Sequence, residues 1–151
     1  MNNPYQNYFV NQVQTASPEQ VLIMLYDGAV RFLREARAAM ESGDRIGKLE
    51  KKSRAVAILT ELSNTLDFEK GGEIAENLDG LYWYMIRELT QANANDETKV
   101  LDVSENILLE LRDAWVQAAE QLRPAPEAAE KAESAEQDAA GQPRKSMNAA
   151  V

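Results

Sequence analysis

The stretch ETKVLDVSENILLELRDAWVQAAEQL, residues 97–122, contains no glycine and no proline, and it spaces Leu101, Ser104, Leu108, Leu111, Trp115, Ala118 and Leu122 by alternating steps of three and four. That rhythm puts one apolar seam along a helix; a strand would alternate apolar and polar residues instead. At 1.5 Å per residue such a helix is about 39 Å long. Most of the stability of a helix comes from burying its apolar face, so this one demands partner helices.

Three partners lie upstream. Asn93–Asp96 is a polar turn rich in capping side chains, and before it residues 73–92 carry Ile74, Leu78, Leu81, Met85, Leu89 and Ala92 at helical spacing. Asp67–Gly72 is the preceding turn, with Gly71-Gly72 as breakers and Asp67 as a cap. Residues 45–66 carry two stripes: Leu49, Val56, Leu59, Ser63 and Leu66, expected in the core, and a rotated one of Ala55, Ile58 and Leu62. Gly47 costs the start of this helix about 1 kcal/mol relative to alanine. The first helix, residues 17–42, opens on Ser17, Pro18 and Gln20, the residues of a capping box with proline at the first helical position. Its stripe is Leu22, Leu25, Ala29, Phe32, Ala36 and Met40; Gly43 closes it in the left-handed conformation and Asp44 caps the next helix.

Four amphipathic helices joined by short turns predict an all-α, antiparallel up-down-up-down four-helix bundle over residues 17–123. Residues 1–16 have no charged side chain and carry Tyr5, Tyr8, Phe9, Val10 and Val13, which predicts an irregular apolar cap segment that docks on the bundle. Beyond Arg123, Pro124 and Pro126 stop the helix, and residues 124–151 are mostly Ala, Glu, Gln and Ser. Such a composition cannot offset its ordering entropy, so a disordered acidic tail is expected, with Glu127–Ala140 as a nascent helix.

Composition removes most chemistry. The 151 residues include no cysteine and no histidine. Disulfides, thiolate metal sites, cysteine nucleophiles, phosphorelay histidines and Glu-x-x-His di-iron sites are therefore excluded, and neither a cofactor nor a metal is expected. The carboxylate pairs Asp67/Glu69 and Glu73/Glu76 sit at a helix junction, where capping and the helix dipole explain them better than acid–base catalysis. Gly71-Gly72 lacks the spacing of a phosphate loop. A net charge of −9 argues against nucleic acid, and the basic run Lys48–Arg54 reads as a solvated helix face. The apolar runs are far too short to span a bilayer and there is no secretory leader, so a soluble cytoplasmic protein that is not an enzyme is expected.

The anomaly is surplus apolar surface. Ile23, Met24 and Val30 fall off the stripe of the first helix, Trp83 points away from that of the third, and Leu109 and Val116 flank that of the fourth. Together with Ala55, Ile58 and Leu62 they predict a docking face for another protein, its groove lined by Ala55, Ile58 and Leu62 with Trp83 nearby. Ile58→Asp would then abolish binding and leave the bundle folded. A weak homodimer face or a wider core uses the same residues.

These residues fall into a familiar arrangement. Asn3-Pro4-Tyr5, Tyr8, Asn11, Val13 and Thr15-Ala16-Ser17-Pro18 are followed by Met24-Leu25-Tyr26-Asp27-Gly28-Ala29, then Leu66-Asp67, Glu69-Lys70-Gly71-Gly72-Glu73-Ile74-Ala75, Asn77-Leu78, Leu81-Tyr82, Tyr84-Met85, Ala92-Asn93 and Arg112-Asp113-Ala114-Trp115. From about Asn3 to Leu122 the chain resembles the FliS family of flagellar export chaperones. The resemblance implies a helical bundle that binds the disordered C-terminal region of flagellin, prevents premature polymerisation and keeps the subunit competent for flagellar type III export. It implies further contacts with an anti-sigma factor and an export-gate component, and an N-terminal segment that covers part of the groove. Tyr5, Tyr8 and Val13 match the N-terminal motif, and Tyr26, Tyr82 and Tyr84 match tyrosines of the helices. Trp83 stands where the family often has an acidic residue, and Glu88 where it often has a basic one. Helix-in-groove physics alone fits equally an adaptor for another secreted or regulatory protein.

Overall fold

The computed structural model describes residues 16–122. The cap segment with Tyr5, Tyr8 and Val13, and the tail after Arg123, lie outside the described residues. Four helices make up the fold: α1 (Pro18–Glu41), α2 (Arg45–Asn64), α3 (Phe68–Gln91) and α4 (Glu97–Leu122).

Local chemistry sets the ends. Ser17 and Gln20 form the reciprocal capping box, each side chain bonded to the other's backbone N–H at 3.2 and 3.0 Å. Gly43 takes φ 80° after α1, and the Asp44 side chain accepts from the Gly47 N–H to start α2. Asn93 Oδ1 accepts from the Asn95 and Asp96 N–H groups in the last turn. Two boundaries differ from expectation. Helix α2 ends at Asn64, where the Thr65 hydroxyl donates to the Leu62 carbonyl at 2.8 Å. Helix α3 begins at Phe68, because Asp67 caps the Glu69 and Lys70 N–H groups and makes a turn of helix out of the expected loop.

The helices run antiparallel in sequence order. Asp27, Arg34 and Arg37 of α1 pair with Arg112, Glu105 and Asp102 of α4, one number rising as the other falls. Between α1 and α2 the pair Glu35–Lys51 and the contact of Gly28 with Ile58 give the same sense. At one end Lys48 and Lys52 of α2 close on Glu97, the first residue of α4.

One core joins all four helices: Tyr26, Ala29, Leu33 and Ala36 from α1, Ala55, Leu59 and Leu62 from α2, Tyr82, Met85 and Leu89 from α3, and Leu101 and Leu108 from α4. Each large side chain so buried contributes about 1.5–3 kcal/mol. Here α2 and α3 depart from the expected stripes. The supposedly peripheral Ala55 and Leu62 are wholly buried, whereas Leu49 is 57% exposed and Ile74 70% exposed. The face that turns inward is the one bearing Ala55 on α2 and Ala75 on α3. Small residues let helix backbones approach and the large neighbours interdigitate. Val30, expected off the stripe of α1, is likewise buried, and Leu81 of α3 is at the surface.

Candidate partner-binding groove

A groove of about 300 Å³ opens where α1 and α3 begin and α2 ends. Leu22 of α1, Leu66, Ile74 and Leu78 make its apolar wall, Leu62 and Ala75 back it, Tyr82 and Trp115 of α4 lie at its floor, and Thr65, Asp67 and Lys70 form a polar rim. Its shape follows from two glycines. Gly72 holds φ 50°, ψ −124°, a backbone state closed to residues with a Cβ, so the turn Phe68–Gly71 is offset from the rest of α3. A Cβ on Gly71 would meet the Ala75 Cβ at 2.8 Å. The corner leaves Ile74 in the open beside the groove.

Beneath the groove lies a chain of polar tips. Trp115 Nε1 donates to Tyr26 Oη at 3.2 Å, and the Tyr26 and Tyr82 hydroxyls are hydrogen-bonded to each other. The two phenol rings are tilted by 48° with centroids 6.4 Å apart. Burial pushes both phenols above their ordinary value of 10.0, so both carry their protons at neutral pH.

The residues singled out from sequence are thus scattered. Leu62 and Tyr82 border the groove, and Tyr26 lies behind it in the core. Ala55 is wholly buried and offers no surface. Ile58 is half-buried, its Cδ1 3.2 Å from where a Cβ on Gly28 would stand, so it seals α1 against α2. Trp83 and Tyr84 are 51% and 39% exposed on α3, and Tyr84 borders a second cleft of about 350 Å³ with Val100, Val103 and Ser104 of α4. Sequence periodicity missed Leu22, Leu66, Ile74, Leu78 and Trp115 as groove residues by assigning them to core stripes. For Ile74 the signal is the Gly71-Gly72 pair two residues before it, where the helix is redirected.

Several charged residues are engaged in the scaffold. Burial alone would raise the carboxyls of Glu97 and Glu105, but hydrogen bonds and charges from Lys48 and Lys52 on the first, and from Arg34 and Arg37 on the second, hold both below their ordinary value. The basic run of α2 is engaged in the same way, Lys51 with Glu35 and Arg54 with Glu50. Arg31, Lys51 and Arg54 also ring the face of Phe32 at 5.0–5.8 Å. These basic residues form no open phosphate track. Among the described residues no group of three or more metal-ligating side chains converges, and no helix is long and apolar enough to cross a membrane.

The described residues form an all-α four-helix bundle with a largely apolar groove at one end. Residues 1–122 match the family of flagellar protein FliS, and the chain belongs to that family. It is 45% identical over 106 residues to the flagellar secretion chaperone FliS of Salmonella typhimurium, covering 70% of this chain and 78% of that one. Its identity to the flagellar secretion chaperone FliS of Bacillus subtilis is 38% over 121 residues, or 80% and 90% of the two chains. The namesake in Campylobacter jejuni is 40% identical over 115 residues, or 76% and 89%.

Proposed function

We propose that this chain is a cytoplasmic flagellar secretion chaperone whose client is flagellin, and that the client's disordered C-terminal region lies in the groove at the α1/α3 end of the bundle. The observation that carries this reading is Ile74, a large aliphatic side chain left 70% exposed beside an apolar groove on a folded member of the FliS family. An amphipathic client segment would set apolar residues at i, i+3, i+4 and i+7 against Leu22, Leu66, Ile74 and Leu78. Ordering a disordered segment costs several kcal/mol, so the client must spread beyond one groove. Trp83 and Tyr84 offer further exposed aromatic surface on α3, Tyr84 beside the second cleft against α4. While it is held there, the segment is unavailable for assembly with other flagellin subunits.

Co-elution on size exclusion with flagellin of the same organism tests the reading. Wild type should form a complex, and Ile74→Asp should weaken it at least tenfold with unchanged helicity. Ile58→Asp does not serve, because it buries a charge between α1 and α2 and would disturb folding and binding together. Unimpaired binding by Ile74→Asp would place the client elsewhere.

A further inference from the structure

The Trp115 side chain has a single polar atom, the indole nitrogen, and that atom can only donate. Its hydrogen goes to Tyr26 Oη at 3.2 Å, and Tyr26 has no exposed surface. The N–H edge of the indole is therefore directed into the core, while the residue as a whole is only partly buried and borders the groove. What Trp115 offers the groove is hydrocarbon, as Leu22, Leu66, Ile74 and Leu78 do. An indole that is partly buried normally satisfies its N–H with a partner or with water. Without the Tyr26 oxygen, the water within reach of Trp115 is that of the groove.

A second tie holds α4 in register at this point. Arg112, one turn before Trp115, donates through Nε and Nη2 to the carboxylate of Asp27, the residue after Tyr26. Two consecutive residues of α1 thus hold two residues of α4 a turn apart. Removing the Tyr26 hydroxyl leaves the Asp27–Arg112 pair in place, so it frees the ring of Trp115 rather than the helix that carries it.

We infer that Tyr26 is a positioning residue for client binding: its hydroxyl holds the Trp115 N–H in the core and so keeps the groove floor apolar for an aliphatic side chain of the client. The inference rests on the proposed flagellin binding and assigns the polarity of the groove to a buried residue that the client does not touch. Without the Tyr26 oxygen the indole either strands a donor or turns its N–H into the groove. Turning is the cheaper course while water fills the groove, and docking of an apolar side chain then strips that water from the N–H.

The first test leaves Tyr26 unchanged. In full-length Trp83→Phe, where Trp115 is the only tryptophan, NMR follows hydrogen exchange of the Trp115 indole N–H. It should be strongly protected, and exchange as fast as that of a free indole overturns the inference. Adding Tyr26→Phe should remove the protection and move the Trp115 emission to longer wavelength. Calorimetric titration with a peptide from the C-terminal end of flagellin then compares wild type, Tyr26→Phe, Trp115→Phe and the double variant. Tyr26→Phe should weaken binding about tenfold in the wild-type background and by less than about twofold in Trp115→Phe, which has no N–H to position. Leu33→Val, a core change that does not line the groove, should lower stability yet bind within about twofold of wild type. Equal loss from Tyr26→Phe in both backgrounds is the mark of a loosened core and overturns the inference, as does no loss in the wild-type background. Failure of wild type to bind the peptide overturns the flagellin reading itself and this inference with it, an outcome distinct from binding that ignores Tyr26.

Discussion

Glu97 concentrates the electrostatics of the bundle in one carboxylate. It is the first residue of α4, almost wholly buried, and bonded to Lys48 Nζ at 2.9 Å and Lys52 Nζ at 3.0 Å. Its carboxyl is held below the ordinary 4.5. Below about pH 4.5 the unfolded chain therefore binds more protons than the folded one, and stability is lost as pH falls through the folded value. Urea unfolding at pH 7 and at pH 3.5 should show this loss, to which Glu105 contributes in the same direction. Glu97→Gln should lower stability by about 3 kcal/mol at pH 7, because two lysines lose their countercharge, and should flatten the acid-side slope. A variant as stable as wild type at pH 7 would show that the lysines reach water at no cost. Ser17→Ala, which removes the cap of α1, is expected to cost about 1 kcal/mol in the same measurement.

Two of the three glycines of helix α3, Gly72 and Gly80, carry opposite expectations. Gly72 sits at φ 50°, so Gly72→Ala should destabilise by about 1–3 kcal/mol and weaken client binding by straightening the corner that displays Ile74. Gly80 lies within the helix with open space where a Cβ would go, so Gly80→Ala should stabilise by about 0.5–1 kcal/mol. Thermal unfolding of the pair reads both signs, and a stabilising Gly72→Ala would contradict the kink. The same helix marks how far sequence carries. The caps at Ser17, Asp44 and Asp67 and the left-handed Gly43 are legible because each is fixed by hydrogen bonds within a few residues. Which stripe of α2 and α3 faces inward is not, because it depends on how Ala55 and Ala75 fit against side chains of other helices. The groove was obscured for that reason: Ile74 and Leu78 were legible as apolar, but their side of the helix was not. Trp83 and Tyr84 were legible in position but lie outside the groove, and Ile58 proved to be a seal between helices.

Taken whole, the molecule pairs a tightly satisfied scaffold with an unsatisfied surface. Much of the apolar seam of α4 packs in the core, and Lys48, Lys51, Lys52 and Arg54 of α2 are paired with carboxylates. Exposed apolar area remains around Ile74, Leu22, Leu66 and Leu78, with Trp83 and Tyr84 on the same helix as Ile74, and also at Ile46, Leu49 and Phe68. A groove of about 300 Å³ holds one or two large side chains, too little for stable capture of a disordered chain, so a client must run along more than one helix. The most direct measurement is titration calorimetry of the full-length protein with the C-terminal peptide of flagellin at several temperatures. A one-to-one complex with a large negative heat-capacity change, lost in Ile74→Asp, is the expected result. No heat and no co-elution with intact flagellin would contradict it and leave a member of the FliS family whose client is a different protein.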